Sequence, residues 1–283
     1  MVEQTGRLTY PPFRMTADIL RQYNVTVTGQ GIQPMLFAHG FGCDQHMWRY
    51  VIPAFEATHR VIRFDYLGHG DASLEAYNRE RYASLHGYAQ DILDICRTLD
   101  LRRVILVGHS VSSMIGLLAC IQEPDRFEHL IMVSPSARYL NDADGYFGGF
   151  ERDDIDGLLD TMDGNFSGWA SAMAPVIMSN NDRPQLSQEL TTAFCKTDLD
   201  VARQFARVTF LGDNRPDLPN MPVPALVIQA QDDVLAPVEV GRYIASHMPH
   251  STLCILPVMG HCPHLSAPHQ TIDTIRDYLA TAA

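Results

Sequence analysis

Ser110 lies at the centre of a five-residue segment, Gly108 to Ser112, whose first and last residues are both small. A short apolar run that predicts a strand, residues 104–107, precedes the segment, and a predicted helix, residues 113–121, follows it. A serine on such a sharp turn projects its hydroxyl away from the backbone, and only small residues fit two positions before and after it. The pattern predicts a nucleophilic serine, although the common form of the motif has glycine in place of Ser112.

A serine hydroxyl is a poor nucleophile at its ordinary pKa, so it needs a base, and the base needs an orienting acid. Two acids, Asp232 and Asp233, follow a predicted strand, residues 225–229. We expect Asp233 to be the acid because Pro237 comes four residues later, the usual interval in such loops. Asp232 is the alternative acid. If Asp233 is the acid, we expect Asp232 to face solvent or to cap the turn.

Two histidines, His261 and His264, follow the predicted strand 253–256 and are candidates for the base. We expect His261 to be the base because it comes directly after Gly260 at the end of the strand. His264 then packs or caps the next turn. The predicted triad is Ser110, Asp233 and His261, in the chain order serine, acid, histidine.

Acyl transfer through a serine also needs two backbone N–H groups that stabilise the negatively charged oxygen of the tetrahedral intermediate. One comes from the residue after the nucleophile, which is Val111. The other is expected from the loop after the predicted strand 35–38, where Gly40 and Gly42 allow a tight turn around Phe41. Phe41 and Val111 are therefore the predicted oxyanion donors.

The sequence predicts neither a cofactor nor a metal. Gly40 and Gly42 could open a dinucleotide-binding motif, but residue 45 is Gln where that motif needs a third glycine. The histidines near these motifs lack the paired spacing of metal ligands; they are His39, His46, His261 and His264.

The elements that must position these residues alternate along the chain. Predicted strands are residues 23–27, 35–38, 61–64, 104–107, 130–133, 225–229 and 253–256. Predicted helices include residues 82–99, 113–121, 238–247 and 271–279. Short apolar strands separated by amphipathic helices predict an α/β fold with a mostly parallel sheet, helices on both faces and an antiparallel strand at its start.

Residues 136–210 interrupt this alternation with helical periodicity alone, which predicts a helical lid inserted into a core of residues 1–135 and 211–283. Such a lid would lie over the carboxyl edge of the sheet, where ligands bind in open α/β folds. One predicted helix start is at Pro184, and Thr197 with Asp200 has the spacing of a capping box. The residues predicted to share one helix face are Phe166, Trp169, Met173, Val176 and Ile177.

Composition excludes several classes of partner. The chain of 283 residues has 33 acidic and 21 basic residues, a net charge of −12, so nucleic acid is not an expected partner. No apolar stretch near the start suits a signal peptide or a membrane span. The six cysteines are scattered without paired spacing, which together with the missing signal predicts a cytoplasmic protein with reduced thiols.

Beyond the catalytic motifs, several segments resemble one branch of a known family. The chain resembles the α/β-hydrolase fold and, within it, the RsbQ-like branch that includes the plant strigolactone and karrikin receptors. The resemblance runs from about Met15 to the C-terminus, and Val111 with Ser112 is similar to the plant receptors' version of the serine motif. The segments that carry it are residues 41–45, 87–91, 139–142, 148–150, 202–205 and 260–264.

The resemblance implies a serine hydrolase whose lid of four helices covers an apolar pocket, with the same triad and oxyanion donors. The apolar lid face favours a small, hydrophobic, uncharged ester or lactone. The branch also implies stress signalling, with a PAS-containing PP2C-type phosphatase as partner. Two functions stay open, a hydrolase with sustained turnover and a ligand-dependent receptor with slow hydrolysis. Candidate pocket residues, for which core packing is the alternative, are Phe41, Tyr139, Phe147, Phe166, Trp169, Met173 and Phe205.

Overall fold

A seven-stranded sheet forms the centre of the computed structural model, which describes residues 15–282. Residues 1–14 of the predicted core and Ala283 lie outside the described residues. The strands are β1 (Thr26–Thr28), β2 (Gln33–Ala38), β3 (His59–Arg63), β4 (Val104–His109), β5 (Phe127–Val133), β6 (Ala225–Asp232) and β7 (Ser251–Met259). Their order is β1-β3-β2-β4-β5-β6-β7, with β1 antiparallel to β3 and all other pairs parallel. This sheet confirms the predicted fold class.

Among residues 15–282, six α-helices accompany the sheet and four form the segment between β5 and β6. The first group is α1 (Met15–Gln22), α2 (Leu85–Thr98), α3 (Val111–Gln122), α8 (Val238–His247), α9 (Pro263–Ser266) and α10 (Pro268–Ala282). The second group, which we call the lid, is α4 (Arg152–Gly164), α5 (Phe166–Met178), α6 (Pro184–Lys196) and α7 (Leu199–Phe210). Within residues 15–282, none of these helices is long and apolar enough to cross a membrane.

The central strands are buried on both faces, which explains why their sequences are continuously apolar. In β4, Leu106 packs against the cluster that includes residues of α2, α3 and α8. Its neighbours Ile105 and Val107 join the opposite cluster, which includes Trp48 and residues of α10. Successive side chains of β4 therefore pack into the two clusters on opposite faces of the sheet. This packing fixes the strand up to its end, which lies next to the predicted nucleophile.

The first strand begins later than predicted. Tyr23 follows α1, and the strand starts only at Thr26. The hydroxyl of Tyr23 donates a hydrogen bond of 2.8 Å to the buried carboxylate of Asp91. Tyr23 is thus bound to a residue 68 positions away, a contact that the local alternation of apolar residues does not reveal.

Two details of the predicted lid also differ. Helix α6 begins at Pro184 as predicted, but α7 is capped by Asp198 and not by Thr197. The Asp198 carboxylate accepts hydrogen bonds from the N–H groups of Asp200 and Val201. Val176 is 48% exposed, so it does not share the inward face of α5.

Candidate active site

Ser110 lies on a sharp turn between β4 and α3. Its φ of +55° and ψ of −123° are unusual for a residue with a side chain, so the turn is strained and is held by its surroundings. The Ser110 N–H donates a 2.8 Å hydrogen bond to the carbonyl oxygen of Val133 at the end of β5. A Cβ on Gly108 would lie 2.4 Å from the carbonyl oxygen of Ser112, which is why this position must be glycine.

The three residues of the predicted triad are joined by two hydrogen bonds. The Oγ of Ser110 lies 2.7 Å from Nε2 of His261, and Nδ1 of His261 lies 2.8 Å from Oδ2 of Asp233. All three side chains are buried. In this arrangement Nδ1–H donates to the carboxylate, which leaves Nε2 free to accept the hydroxyl proton of Ser110.

Asp233, the predicted acid, is held in place by the backbone of its own loop. Oδ1 of Asp233 accepts hydrogen bonds from the N–H groups of Leu235 at 2.9 Å and Ala236 at 3.1 Å. The neighbouring Asp232 is exposed, and its backbone carbonyl accepts a 2.8 Å hydrogen bond from the N–H of Gly260. The structure therefore brings Asp233 to the histidine, and Asp232 supports the loop through its backbone.

His264, the alternative base, is fully buried, and His261 is the histidine that hydrogen-bonds to Ser110. Its ring packs against the rings of Trp48 and His109, with centroid distances of 4.6 Å and 4.3 Å. Burial lowers the pKa of His264 to about 3, with a smaller contribution from the charge of His261. His264 is therefore a neutral packing residue.

The backbone of His261 is anchored on both sides. Its N–H donates a 2.9 Å hydrogen bond to the carbonyl oxygen of Ile177, in the last turn of lid helix α5. Its carbonyl oxygen accepts a 2.9 Å hydrogen bond from Nε2–H of His109. Gly260 has a φ of +89°, and a Cβ there would lie 2.1 Å from the carbonyl oxygen of Met178. The lid and the loop that carries His261 are thus in direct backbone contact.

The N–H groups of Phe41 and Val111 find no acceptor among residues 15–282, so both are free to donate to a ligand. Neutral His39 shapes the loop that carries Phe41. Its Nδ1–H donates to the carbonyl oxygen of Gly40 at 2.8 Å, and its Nε2 accepts from the N–H of Tyr66 at 3.1 Å. Burial lowers the pKa of His39, which keeps this tautomer uncharged.

A narrow cavity lies above Ser110 and under the lid. Its volume is about 30 Å³. The hydroxyl of Tyr139 lies 3.4 Å from Oγ of Ser110, and burial raises its pKa to about 12, so it is a neutral phenol. The lining residues are Phe41, Cys43, His109, Ser110, Tyr139, Leu158, Trp169, Met173, Ile177, Leu190, Phe194, Thr209, Phe210, Leu235, His261 and Cys262.

The structure divides the predicted pocket residues into two groups. Phe41, Tyr139, Trp169 and Met173 line the cavity. Phe166 lies behind the wall, where its ring stacks on Trp169 at a centroid distance of 5.7 Å. Phe205 is fully buried and stacks on Tyr88 at 4.2 Å, and Phe147 is 50% exposed on the surface. These three aromatic residues are therefore not among those that line the cavity: Phe166 and Phe205 pack against other rings, and Phe147 is exposed.

Sequence reasoning missed several residues that line the cavity. Leu235 is two residues after Asp233, so the turn that presents the acid also presents this side chain. Phe194 touches the place where Gly42 lacks a side chain, since a Cβ there would lie 2.0 Å from its ring. The helical periodicity of α6 could have indicated that Phe194 faces inward, but only the fold shows which inward residues meet the cavity.

No metal site is evident within the part of the chain that the structure describes. No group of three or more His, Cys, Asp or Glu side chains among those residues is arranged to hold an ion. The donor atoms near Ser110 already have roles as a hydrogen-bonded chain, and the arrangement can activate a serine hydroxyl beside two free N–H donors.

Residues 35–274 match the sequence profile described as the alpha/beta hydrolase family. A protein named karrikin insensitive 2 receptor CA from Petunia hybrida is 36% identical over 254 residues, which is 89% of this chain and 94% of the relative. A protein named strigolactone esterase D14 from Arabidopsis thaliana is 36% identical over 260 residues, 92% of this chain and 97% of the relative. These relatives confirm the resemblance to the plant strigolactone and karrikin proteins.

Among solved structures, a hydrolase from Oleispira antarctica matches with a TM-score of 0.91 and 41% sequence identity. The match covers 94% of this chain and 97% of that one. The range that matches the family, residues 35–274, includes the lid and the loops that carry Ser110, Asp233 and His261.

Proposed function

Since the chain is an ester hydrolase of the alpha/beta hydrolase family, we propose that it cleaves small hydrophobic esters or lactones through a covalent acyl intermediate on Ser110. The observation that carries the proposal is the hydrogen-bonded chain from Ser110 through His261 to Asp233, buried beneath an apolar cavity. Geometry of this kind converts a weak hydroxyl nucleophile into a reactive one.

In the first half of the reaction, Nε2 of His261 takes the proton of Ser110 as Oγ attacks the carbonyl carbon. The carboxylate of Asp233 stabilises the imidazolium that results. The N–H groups of Phe41 and Val111 donate to the carbonyl oxygen as it gains negative charge. When the intermediate collapses, His261 gives its proton to the departing alkoxide, which in a lactone stays attached to the acyl group.

In the second half, water attacks the acyl group on Ser110, with His261 again taking and returning the proton. The free acid leaves and the serine hydroxyl is restored. The described lining of the cavity contains no Lys, Arg, Asp or Glu, so a charged substrate would lose its hydration without finding a partner. We therefore propose uncharged substrates small enough for a narrow site.

A second candidate function is that of a ligand-dependent regulator, in which slow hydrolysis serves binding and recruitment of a partner. Support comes from a relative named as a receptor and from the resemblance to the RsbQ-like branch. The direct contact between the lid and His261 also gives a ligand a route to the lid surface. In this case we propose stress signalling as the process and a PAS-containing PP2C-type phosphatase as the partner.

One experiment tests the mechanism and separates the two functions. Hydrolysis of a short-chain aryl ester is followed over many turnovers for the wild type and for Ser110→Ala, with intact-mass spectra recorded during the reaction. We expect Ser110→Ala to lose activity, and wild-type activity in this variant would overturn the proposed nucleophile. Sustained turnover without accumulated mass favours the hydrolase. A single burst that leaves acyl mass on the protein favours the regulator.

A further inference from the structure

We propose that Asn180 and Arg183, in the turn between α5 and α6, are positioning residues that hold the loop of His261 against the lid. The inference rests on the proposed function, because it gives these residues a role toward the histidine of the triad. Neither side chain is among those that line the cavity or hydrogen-bond to the triad. Their effect on the reaction must therefore act through the backbone that carries His261.

Asn180 joins the end of the lid helix to the end of β7. Its side chain is buried, and Nδ2–H donates to the carbonyl oxygen of Met178 at 2.5 Å and to that of Met259 at 3.4 Å. Met259 comes two residues before His261. The amide of Asn180 thus bridges the C-terminus of α5 and the point where the chain leaves the sheet toward the base.

Arg183 holds the other side of the same loop. Its Nη1 donates a 2.7 Å hydrogen bond to the carbonyl oxygen of Ser266, and its Nη2 donates to Oδ1 of Asn180. Ser266 ends α9, the short helix that follows His261. The guanidinium of Arg183 therefore binds one end of the loop directly. It also binds the side chain of Asn180, which contacts the other end at Met259.

Three contacts with α5 and the turn that follows it are consequently distributed along residues 259–266. Asn180 binds the residue before Gly260, the carbonyl oxygen of Ile177 accepts from the N–H of His261 at 2.9 Å, and Arg183 binds the end of α9. A segment tied at its start, middle and end has little freedom to rotate. The imidazole is held with Nε2 at 2.7 Å from Ser110, and small displacements of a catalytic group reduce the rate strongly.

Removing Arg183 would leave the buried Oδ1 of Asn180 and the carbonyl of Ser266 without this donor. The segment would then relax, and His261 would spend time away from the reactive geometry. Because the cavity wall is unchanged, substrate binding should suffer much less than the chemical step. A lower kcat with a nearly constant KM is the expected signature of a positioning residue.

The test compares Arg183→Met, Arg183→Lys and Asn180→Ala with two matched controls. Arg152→Met removes the arginine that begins lid helix α4 and pairs with Asp156 at 2.8 Å, and Asn181→Ala changes the exposed neighbour of Asn180. We expect kcat for the aryl ester to fall about 10-fold to 100-fold in Arg183→Met and Asn180→Ala, with KM within about twofold. Arg183→Lys, which keeps one donor, should recover part of the loss, and both controls should resemble the wild type.

A spectroscopic measurement separates positioning from a general loss of structure. The proton of His261 Nδ1 that bonds to Asp233 gives a downfield resonance, which is identified by its absence in His261→Ala. We expect this resonance to broaden in Arg183→Met at temperatures where the variant is fully folded, and to stay sharp in Arg152→Met.

Two results would overturn the inference. Wild-type kcat and an unchanged resonance in Arg183→Met and Asn180→Ala would show that the contacts do not position His261. Loss of kcat only in proportion to unfolded protein, with no recovery in Arg183→Lys, would show a purely structural role. Either result leaves the proposed function intact, whereas wild-type activity in Ser110→Ala would remove the function itself.

Discussion

The hydroxyl of Ser112 lies 3.0 Å from the hydroxyl of Tyr66 and donates a hydrogen bond to the backbone carbonyl oxygen of His39. Burial raises the pKa of Tyr66, so its neutral O–H donates to Ser112, which in turn donates to His39. Ser112 occupies the position where the serine motif commonly has glycine. Here its hydroxyl ties the start of α3 to the loop that carries Phe41, the proposed oxyanion donor.

Ser112→Ala should destabilise the protein and leave catalysis nearly intact. The change leaves the buried Tyr66 hydroxyl and His39 carbonyl without their shared partner, which costs about 1–3 kcal/mol. Urea unfolding measures the loss, and kcat should stay within about threefold because the turn still has small residues. A double-mutant cycle with Tyr66→Phe tests the chain of hydrogen bonds. The double variant should lose less unfolding free energy than the sum of the losses in the two single variants, and strict additivity would contradict the hydrogen-bonded chain.

Asp233→Asn should reduce kcat by about 10³-fold to 10⁴-fold while the protein stays folded. Oδ1 of the asparagine would keep the two bonds from the N–H groups of Leu235 and Ala236. Its Nδ2 would then face Nδ1 of His261 as a donor, which forces the proton of the imidazole onto Nε2. In that tautomer the base cannot accept the proton of Ser110.

The matched control is Asp232→Asn, which makes the same chemical change at the exposed neighbouring residue. Its backbone carbonyl, which accepts from Gly260, is unaffected by the substitution. We expect kcat within about twofold of the wild type. A large loss in Asp232→Asn, or a small one in Asp233→Asn, would reverse the assignment of the acid.

Stability should fall as the pH is lowered from about 6.5 toward about 3. Burial lowers the pKa of His69 and of His264 to about 3, against an ordinary value of 6.5. Between these values the unfolded chain binds more protons, so each histidine contributes up to about 1.4 kcal/mol per pH unit. Their contribution is fully present above about pH 6.5 and is lost as the pH falls through the folded pKa.

Urea unfolding at about pH 7 and about pH 5 checks this dependence. His264→Phe keeps an aromatic ring against Trp48 and removes one titrating group. The unfolding free energy of the variant should therefore depend less steeply on pH. The decrease in slope should correspond to at most one proton bound on unfolding. An unchanged slope would mean that His264 is already protonated in the folded protein.

Thiol reagents should distinguish one cysteine in the native protein. Cys195 is exposed and Cys254 is partly buried, whereas the remaining four are buried: Cys43, Cys96, Cys120 and Cys262. Burial raises the pKa of all four, that of Cys96 to about 12, so little reactive thiolate forms. An aromatic disulfide reagent should react rapidly with one thiol per chain and reach the buried four only in denaturant.

Activity should survive this rapid phase, and Cys195→Ser should abolish the phase. Cys43 and Cys262 line the cavity, so their modification would block the site. Loss of activity during the rapid phase would contradict the burial of Cys43 and Cys262 and show that reagent enters beneath the lid.

The sheet could be predicted because its signals are local. Residues 104–107 and 225–229 are short apolar runs, and they lie within β4 and β6. The serine motif lies between a strand and a helix, as predicted. The positions of Ser110, Asp233 and His261 follow from the same rule, because parallel strands present their carboxyl ends at one edge of the sheet.

The cavity could not be predicted in the same way. Phe205 and Phe210 lie on the same helix, but Phe205 stacks on Tyr88 of α2 while Phe210 lines the cavity. Helical periodicity shows which residues of a helix face inward. It does not show whether such a side chain packs against another side chain or lines a cavity. That distinction depends on contacts between residues more than a hundred positions apart.

Ser110 and His261 are separated by 151 residues, and all four lid helices lie between them in the chain. During synthesis on the ribosome the nucleophile emerges first, and its base follows only after the lid and β6. The base comes directly after β7, the strand at the far edge of the sheet. A nascent chain therefore carries an inert serine until β7 docks, and the onset of ester cleavage would report that this strand has joined the sheet.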